Sequence, residues 1–144
     1  MWIVFALSAS VLWGLSYVLF EQVYKKMSIV TSLSLVCLVM FVVFGIWSLL
    51  GGYFKPDLAA LTSSKRLFWI FAAGTLTALV ADLFIGLSIH GKSATLAGLI
   101  EISYPIFIAL FAYFLFKEHQ LNTATVIGGL LVFVGVFVIY FFNR

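Results

Sequence analysis

Five stretches of apolar sequence, joined by short polar connections, constrain this chain before any finer pattern is read; they run over residues 2–20, 29–50, 67–89, 93–116 and 123–142. A helix rising about 1.5 Å per residue crosses the hydrocarbon layer of a bilayer in about 20 residues, so each stretch is long enough to span. With 65% of residues hydrophobic and 9% charged, the composition is that of a membrane-embedded chain, not of a water-soluble domain. The expected fold is therefore all-α, a polytopic membrane protein with five transmembrane helices forming one domain over residues 1–144. The longest connection, "GGYFKPDLAALTSSKR" at 51–66, is too short for a separate domain. Within it Pro56 and Asp57 suggest a turn, followed by a short interfacial helix over 57–66.

The first stretch lacks a basic leader segment and exceeds an ordinary signal-peptide core, so it is read as a retained helix. Trp2, Trp47, Tyr53, Trp69 and Tyr140 fall near helix ends, where aromatic rings settle at the membrane–water boundary. Cys37 is the only cysteine, which excludes an internal disulfide. A formal charge of +3 raises the question of an acidic partner. The basic residues are scattered singly or in pairs, without a basic run or an aromatic platform, and nucleic acid is set aside.

An odd number of spans puts the two ends of the helical unit on opposite sides of the membrane. Lys55, Lys65, Arg66 and Lys117 then share the side of residue 1, while Lys25, Lys26, Lys92 and Arg144 take the other, four on each. Orientation is normally set by an imbalance of Lys and Arg between the faces. A balanced count permits insertion both ways, and dual topology is the expectation.

Two acids interrupt the apolar runs. Glu101 lies near the middle of the fourth helix, where helical spacing aligns it with Ala94, Ala97, Gly98, Pro105, Ala109 and Ala112. Small residues let helices approach closely, so this face is expected to meet protein or line a cavity, with the bulky side chains turned to lipid. Pro105 removes a backbone donor and is expected to kink the helix one turn from the carboxyl. Asp82 repeats the pattern in the third helix, in line with Thr75, Ala78 and Gly86. In the first helix Ser10, Gly14, Tyr17 and Glu21 share a stripe, with Trp13 beside it; Glu21 reads as a solvated charge at the helix end.

Both intramembrane acids have a structural reading, as hydrogen-bonded carboxyls that hold helices together. They also have a functional one. A carboxylate at mid-membrane costs about 2.5–3.5 kcal/mol on insertion scales, and no Lys or Arg lies inside any of the five spans to offset it. Such a group suits uptake and release of a proton, or its exchange for a cation. Enzyme chemistry finds no foothold: CxxC, HExxH, GxSxG and phosphate-binding glycine loops are all missing from the sequence, and His90 and His119 are assigned to separate loops on opposite sides. No catalytic residue, metal or cofactor is expected. Asn122 or Thr123 is the expected N-cap of the fifth helix, on which Gly128 and Gly135 lie seven apart on a packing face.

The segment "SATLAGLIEISYPIFIALFAYFLFKEHQLNTATVIGGLLVFVGVFVIYFF", residues 93–142, resembles the end of an EamA domain of the drug/metabolite transporter superfamily. Pro105, Glu118, Gly128, Gly129 and Gly135 match that pattern, and "LWGLSYVLFEQ" at 12–22 is similar to the family's first-helix Trp-Gly signature through Trp13 and Gly14. The chain departs from it at Lys117, where the family often has glycine, and in a second helix without the proline and arginine common near its start. EamA transporters usually join two five-helix units, the second inverted relative to the first. The resemblance therefore implies a half-transporter completed by an antiparallel homodimer, exporting small metabolites, amino acids or organic cations by alternating access. Its cavity is expected between helices one, three and four, with Glu101 as the proton- or cation-binding group, Asp82 as a second, and Tyr104, Trp13 and Tyr17 as aromatic walls. Gly14, Gly98, Gly128 and Gly135 are the expected packing or dimer contacts. The partners are then the lipid bilayer, a small-molecule substrate and protons, in an inner or plasma membrane. Two other readings of the sequence stay open: a subunit of a heteromeric transporter or lipid flippase, and a membrane assembly or regulatory protein without a transport cycle.

Overall fold

The computed structural model describes residues 1–119 and 122–142. Arg144, one of the loop charges counted above, lies outside the described residues. The chain forms helices α1 (Trp2–Tyr24), α2 (Ile29–Leu50), α3 (Phe54–Ser63), α4 (Lys65–Gly91), α5 (Ala94–Glu101), α6 (Tyr104–Phe111), a π-helical turn (Ala112–Phe116) and α7 (Thr123–Phe142), with no strand among the described residues. Five spans are long and apolar enough to cross a membrane, the fourth being α5, α6 and the π turn taken together. The fold is thus an all-α, five-span membrane architecture. Its outward side chains are large and apolar, with Phe41 and Val11 among those left exposed, as a lipid-facing surface requires.

Several boundaries differ from the sequence expectation, each for a local reason. α1 continues to Tyr24 rather than stopping at 20, because the Tyr24 side chain is buried and the last turn is packed. α4 begins at Lys65, where the Ser64 hydroxyl accepts the Leu67 N–H, and it runs on through His90, which is therefore helical and not in a loop. The interfacial helix starts earlier than expected, at Phe54. Pro56 falls in its first turn, where a missing N–H leaves no helical bond unmade, while Lys65 and Arg66 belong to the next helix. Gly52, at φ 72°, supplies the left-handed residue of the turn between α2 and α3.

Two compact units are distinguished, Gln22–His90 and the combination of Met1–Glu21 with Gly91–Arg144. In the first, Ser28 caps α2 by accepting the Thr31 N–H, and Tyr24, Ile29, Ser32, Gly86 and Ile89 are buried. Gly86 is the crossing point: a Cβ there would stand 2.7 Å from Ile29 Cγ2. In the second unit the buried residues, among those described, are all alanines, namely Ala94, Ala97, Ala109 and Ala112. These are four of the small residues aligned with Glu101, so that face does meet protein. Ile106 packs on α7, where a Cβ at Gly129 would meet its Cγ1 at 3.0 Å.

The fourth span is interrupted, not merely kinked. Pro105 cannot donate to the Glu101 carbonyl, and its ring crowds that oxygen, so α5 ends at Glu101. Ile102 and Ser103 close the end through Ile102 N–H to the Gly98 carbonyl at 3.1 Å and Ser103 N–H to the Ile100 carbonyl at 3.2 Å. α6 then restarts with the proline in its first turn, where proline is well placed. The span finishes in the π turn and in Lys117, at φ 60° and ψ 26°. That left-handed conformation is the one a glycine adopts without strain. Lys117 also lies over the Tyr113 ring, 5.5 Å from its centroid. Beyond it, Asn122 caps α7 by accepting the Thr125 N–H at 2.8 Å.

Lys117→Gly and Lys117→Val both remove the cation over Tyr113, so their difference isolates the backbone. The valine variant is expected to be less stable than the glycine variant by about 1–2 kcal/mol, the order of the left-handed penalty for a residue bearing a Cβ. Thermal unfolding of the two purified proteins in the same detergent measures this difference, and equal midpoints would show that the left-handed cap contributes nothing.

Candidate functional site

Two residues of α1, Tyr17 and Glu21, meet three of α5, Ala94, Gly98 and Glu101, in the unit that combines residues 1–21 with 91–144. Tyr17 donates its phenolic O–H to Oε2 of Glu101. Gly98, one turn earlier on α5, makes room for the ring: a Cβ there would lie 3.4 Å from Tyr17 Cδ2. Trp13 stands edge-on to Tyr17, with ring centroids 5.8 Å apart and an interplanar angle of 66°. Tyr17, Gly98 and Glu101 are each half-buried. The site is partly sheltered by protein, and one edge of it is open.

Glu101 occupies the last position of α5. It carries two polar groups at the break, its carboxyl and a main-chain carbonyl to which Pro105 has no N–H to donate. The C-terminal end of a helix is the negative end of its dipole, where cations and protons are favoured over anions. A carboxyl, a phenol and the end of a half-helix therefore converge within an apolar span. That combination suits holding a proton or a small cation, and Trp13 and Tyr17 add aromatic faces.

Glu21 departs from expectation. It is half-buried, and its Oε2 accepts the N–H of Ala94 at 2.9 Å. Ser93, the N-cap of α5, accepts the Leu96 N–H beside it. The reading of Glu21 as a solvated end charge fails because the first turn of α5 offers it a donor and a positive dipole end. A signal for this was present in the sequence: Tyr17 and Glu21 are four apart on α1, and Ala94, Gly98 and Glu101 recur on one face of α5.

The other expected site residues are distributed differently. Tyr104 lies beyond the break, exposed, without a ring contact or side-chain hydrogen bond to a described residue. Asp82 belongs to the other unit; it is exposed there, near enough to the Tyr24 hydroxyl to act on it electrostatically. Gly14 and Gly135 face open space, where an added Cβ would meet nothing within 4 Å. Gly128 and Gly129 lie with Ile106, Leu110, Val126 and Phe133 in an apolar groove of about 340 Å³. Neither Glu101 nor Tyr17 lines that groove, which suits an alkyl chain or a helix face better than a polar solute. Among the described residues no cluster of His, Cys, Asp or Glu has the arrangement of a metal site.

A sequence model described as the EamA-like transporter family matches residues 1–141. No curated protein and no solved structure matches the chain.

The Tyr17 contact is expected to leave a vibrational signature. The carboxyl absorption assigned to Glu101, identified as the band lost in Glu101→Gln, moves in Tyr17→Phe because its hydrogen-bond donor is gone. Infrared difference spectra of the reconstituted proteins make the comparison, and an unmoved band would show that the two side chains do not touch in the bilayer.

Proposed function

The chain belongs to the EamA-like transporter family, membrane transporters of the drug/metabolite transporter superfamily, and on that premise we propose that it is a secondary active exporter whose coupling group is Glu101. The observation that carries this reading is the half-buried Glu101 carboxyl at the end of a broken membrane helix, held by Tyr17 on a facing helix. A carboxyl in this setting can carry a proton or, in its place, pair with a cationic solute. Alternation between these states links solute movement to proton movement. The substrate class is small metabolites, amino acids or organic cations, with Trp13 and Tyr17 as contact walls, Tyr104 as a further wall and Asp82 as a second acid.

Two copies of the unit, inserted in opposite orientation, form the working transporter in this proposal. The support is the balance of Lys and Arg between the two faces, four on each, in a unit whose odd number of spans gives its two ends opposite exposures. The open faces at Gly14 and Gly135 and the groove at Gly128 are surfaces on which a second copy packs. An inner or plasma membrane is the proposed location.

In liposomes of the purified protein, proton flux driven by a panel of amino acids and organic cations is expected for the native chain and lost, by tenfold or more, in Glu101→Gln. Equal flux in both proteins would discard Glu101 as the coupling group, and no flux from the native chain across the panel would count against self-sufficient transport and for a different partner subunit.

The orientation proposal has its own test. Adding two lysines to the 25–28 connection is expected to fix one orientation, and adding two to the 51–53 turn the opposite one. Each variant alone loses activity in cells and the coexpressed pair regains it. Full activity of either variant by itself would exclude the antiparallel pair.

A further inference from the structure

The contacts between α1 and α5 occur at both ends of a short helix that is free of its continuation. α5 is eight residues long and ends at the break before Tyr104, where Pro105 leaves no helical bond to the Glu101 carbonyl. A half-helix inside a span leaves its first N–H groups and last carbonyls without helical partners, which lipid cannot supply. Something outside α5 must hold it. At its C-terminal end Tyr17 holds Glu101, at its centre Gly98 lies against the Tyr17 ring, and at its N-terminal end Glu21 holds the Ala94 N–H. Tyr17 and Glu21 are one turn apart on α1, so a single face of one helix meets both ends of the other.

We propose that Glu21 is a positioning residue, acting through α5: its carboxylate anchors the N-terminus of the half-helix and thereby sets where Glu101 stands relative to Tyr17. The Glu21 contact is the charged one, a carboxylate accepting from a backbone N–H at the positive end of a helix, and such bonds are about twice as strong as neutral ones. The joint at Ile102 and Ser103 is the point about which α5 moves when the anchor is released. α6 lies on the far side of that joint, with Ala109 and Ala112 buried and Ile106 packed on Gly129, so it keeps its place. Glu21 touches neither Glu101 nor a solute in this account. It controls the distance over which Glu101 reaches its donor.

The inference gives Glu101 a reason to be adjustable and rests on the transport reading for its significance, yet it is tested without a substrate. Backbone hydrogen–deuterium exchange is measured on native, Glu21→Ala, Glu21→Gln and Tyr17→Phe proteins in lipid nanodiscs. In Glu21→Ala, peptides covering 94–101 are expected to exchange about tenfold faster, on the scale of one lost charge-assisted hydrogen bond, while those covering 104–116 and 123–142 stay within about twofold of native. Glu21→Gln, which keeps an acceptor at the same place, is expected to fall between native and alanine. Tyr17→Phe loosens the 99–101 end first. In Glu21→Ala the infrared band of Glu101 moves toward its position in Tyr17→Phe, a change that loss of packing elsewhere would not produce. Unchanged exchange over 94–101 overturns the proposal, and so does acceleration spread equally over α6 and α7, which signals general loosening. An unmoved Glu101 band overturns it as well. None of these outcomes bears on whether Glu101→Gln abolishes flux, so the anchor and the transport reading fail separately.

Discussion

A proline four residues after a glutamate deprives that glutamate's carbonyl of its helical donor, and in this chain the break falls inside a membrane span. Inside a bilayer an unpaired backbone carbonyl has no water to turn to, and irregular backbone is tolerated only where protein or a wet cavity surrounds it. The interruption between α5 and α6 therefore demands neighbours. The chain supplies them with a face of small residues on both half-helices, buried at Ala94, Ala97, Ala109 and Ala112. The same break places the Glu101 carboxyl at the end of a half-helix, where it accepts the hydroxyl of Tyr17.

Lipid changes which contacts are decisive. Between membrane helices there is no water to expel, so close packing and polar contacts decide which faces meet. The contacts follow that rule in both units. In one, Gly86 packs against Ile29; in the other, Gly129 packs against Ile106 and Gly98 against Tyr17. The polar contacts of α1 with α5 sit at the two ends of α5, Glu21 on its first turn and Tyr17 on its last, while Ser28 and Asn122 cap the starts of α2 and α7.

The left-handed residue at the end of the fourth span is a lysine and not a glycine. Lys117 takes up the conformation that glycine adopts without strain. The lysine keeps the turn at some cost in backbone energy and sets its ammonium over the Tyr113 ring.

The five spans, the all-α fold and the small-residue face around Glu101 were legible in the amino-acid order, because length, hydropathy and helical spacing are local properties that lipid enforces directly. Asn122 as a cap and the disturbance at Pro105 were legible for the same reason. The contacts that define the candidate site were not. Glu21 looks like a solvated charge until the start of α5 is brought to it, and Tyr17 looks like one aromatic among many until Glu101 faces it. Gly129 and Gly128 are neighbours in sequence, yet only Gly129 meets Ile106. Sequence determined which residues lie in the membrane and which share a helix face. The tertiary structure decided which face meets which, since that depends on the crossing of helices distant along the chain, and the partner of a hydrogen bond is fixed only when both ends have been placed.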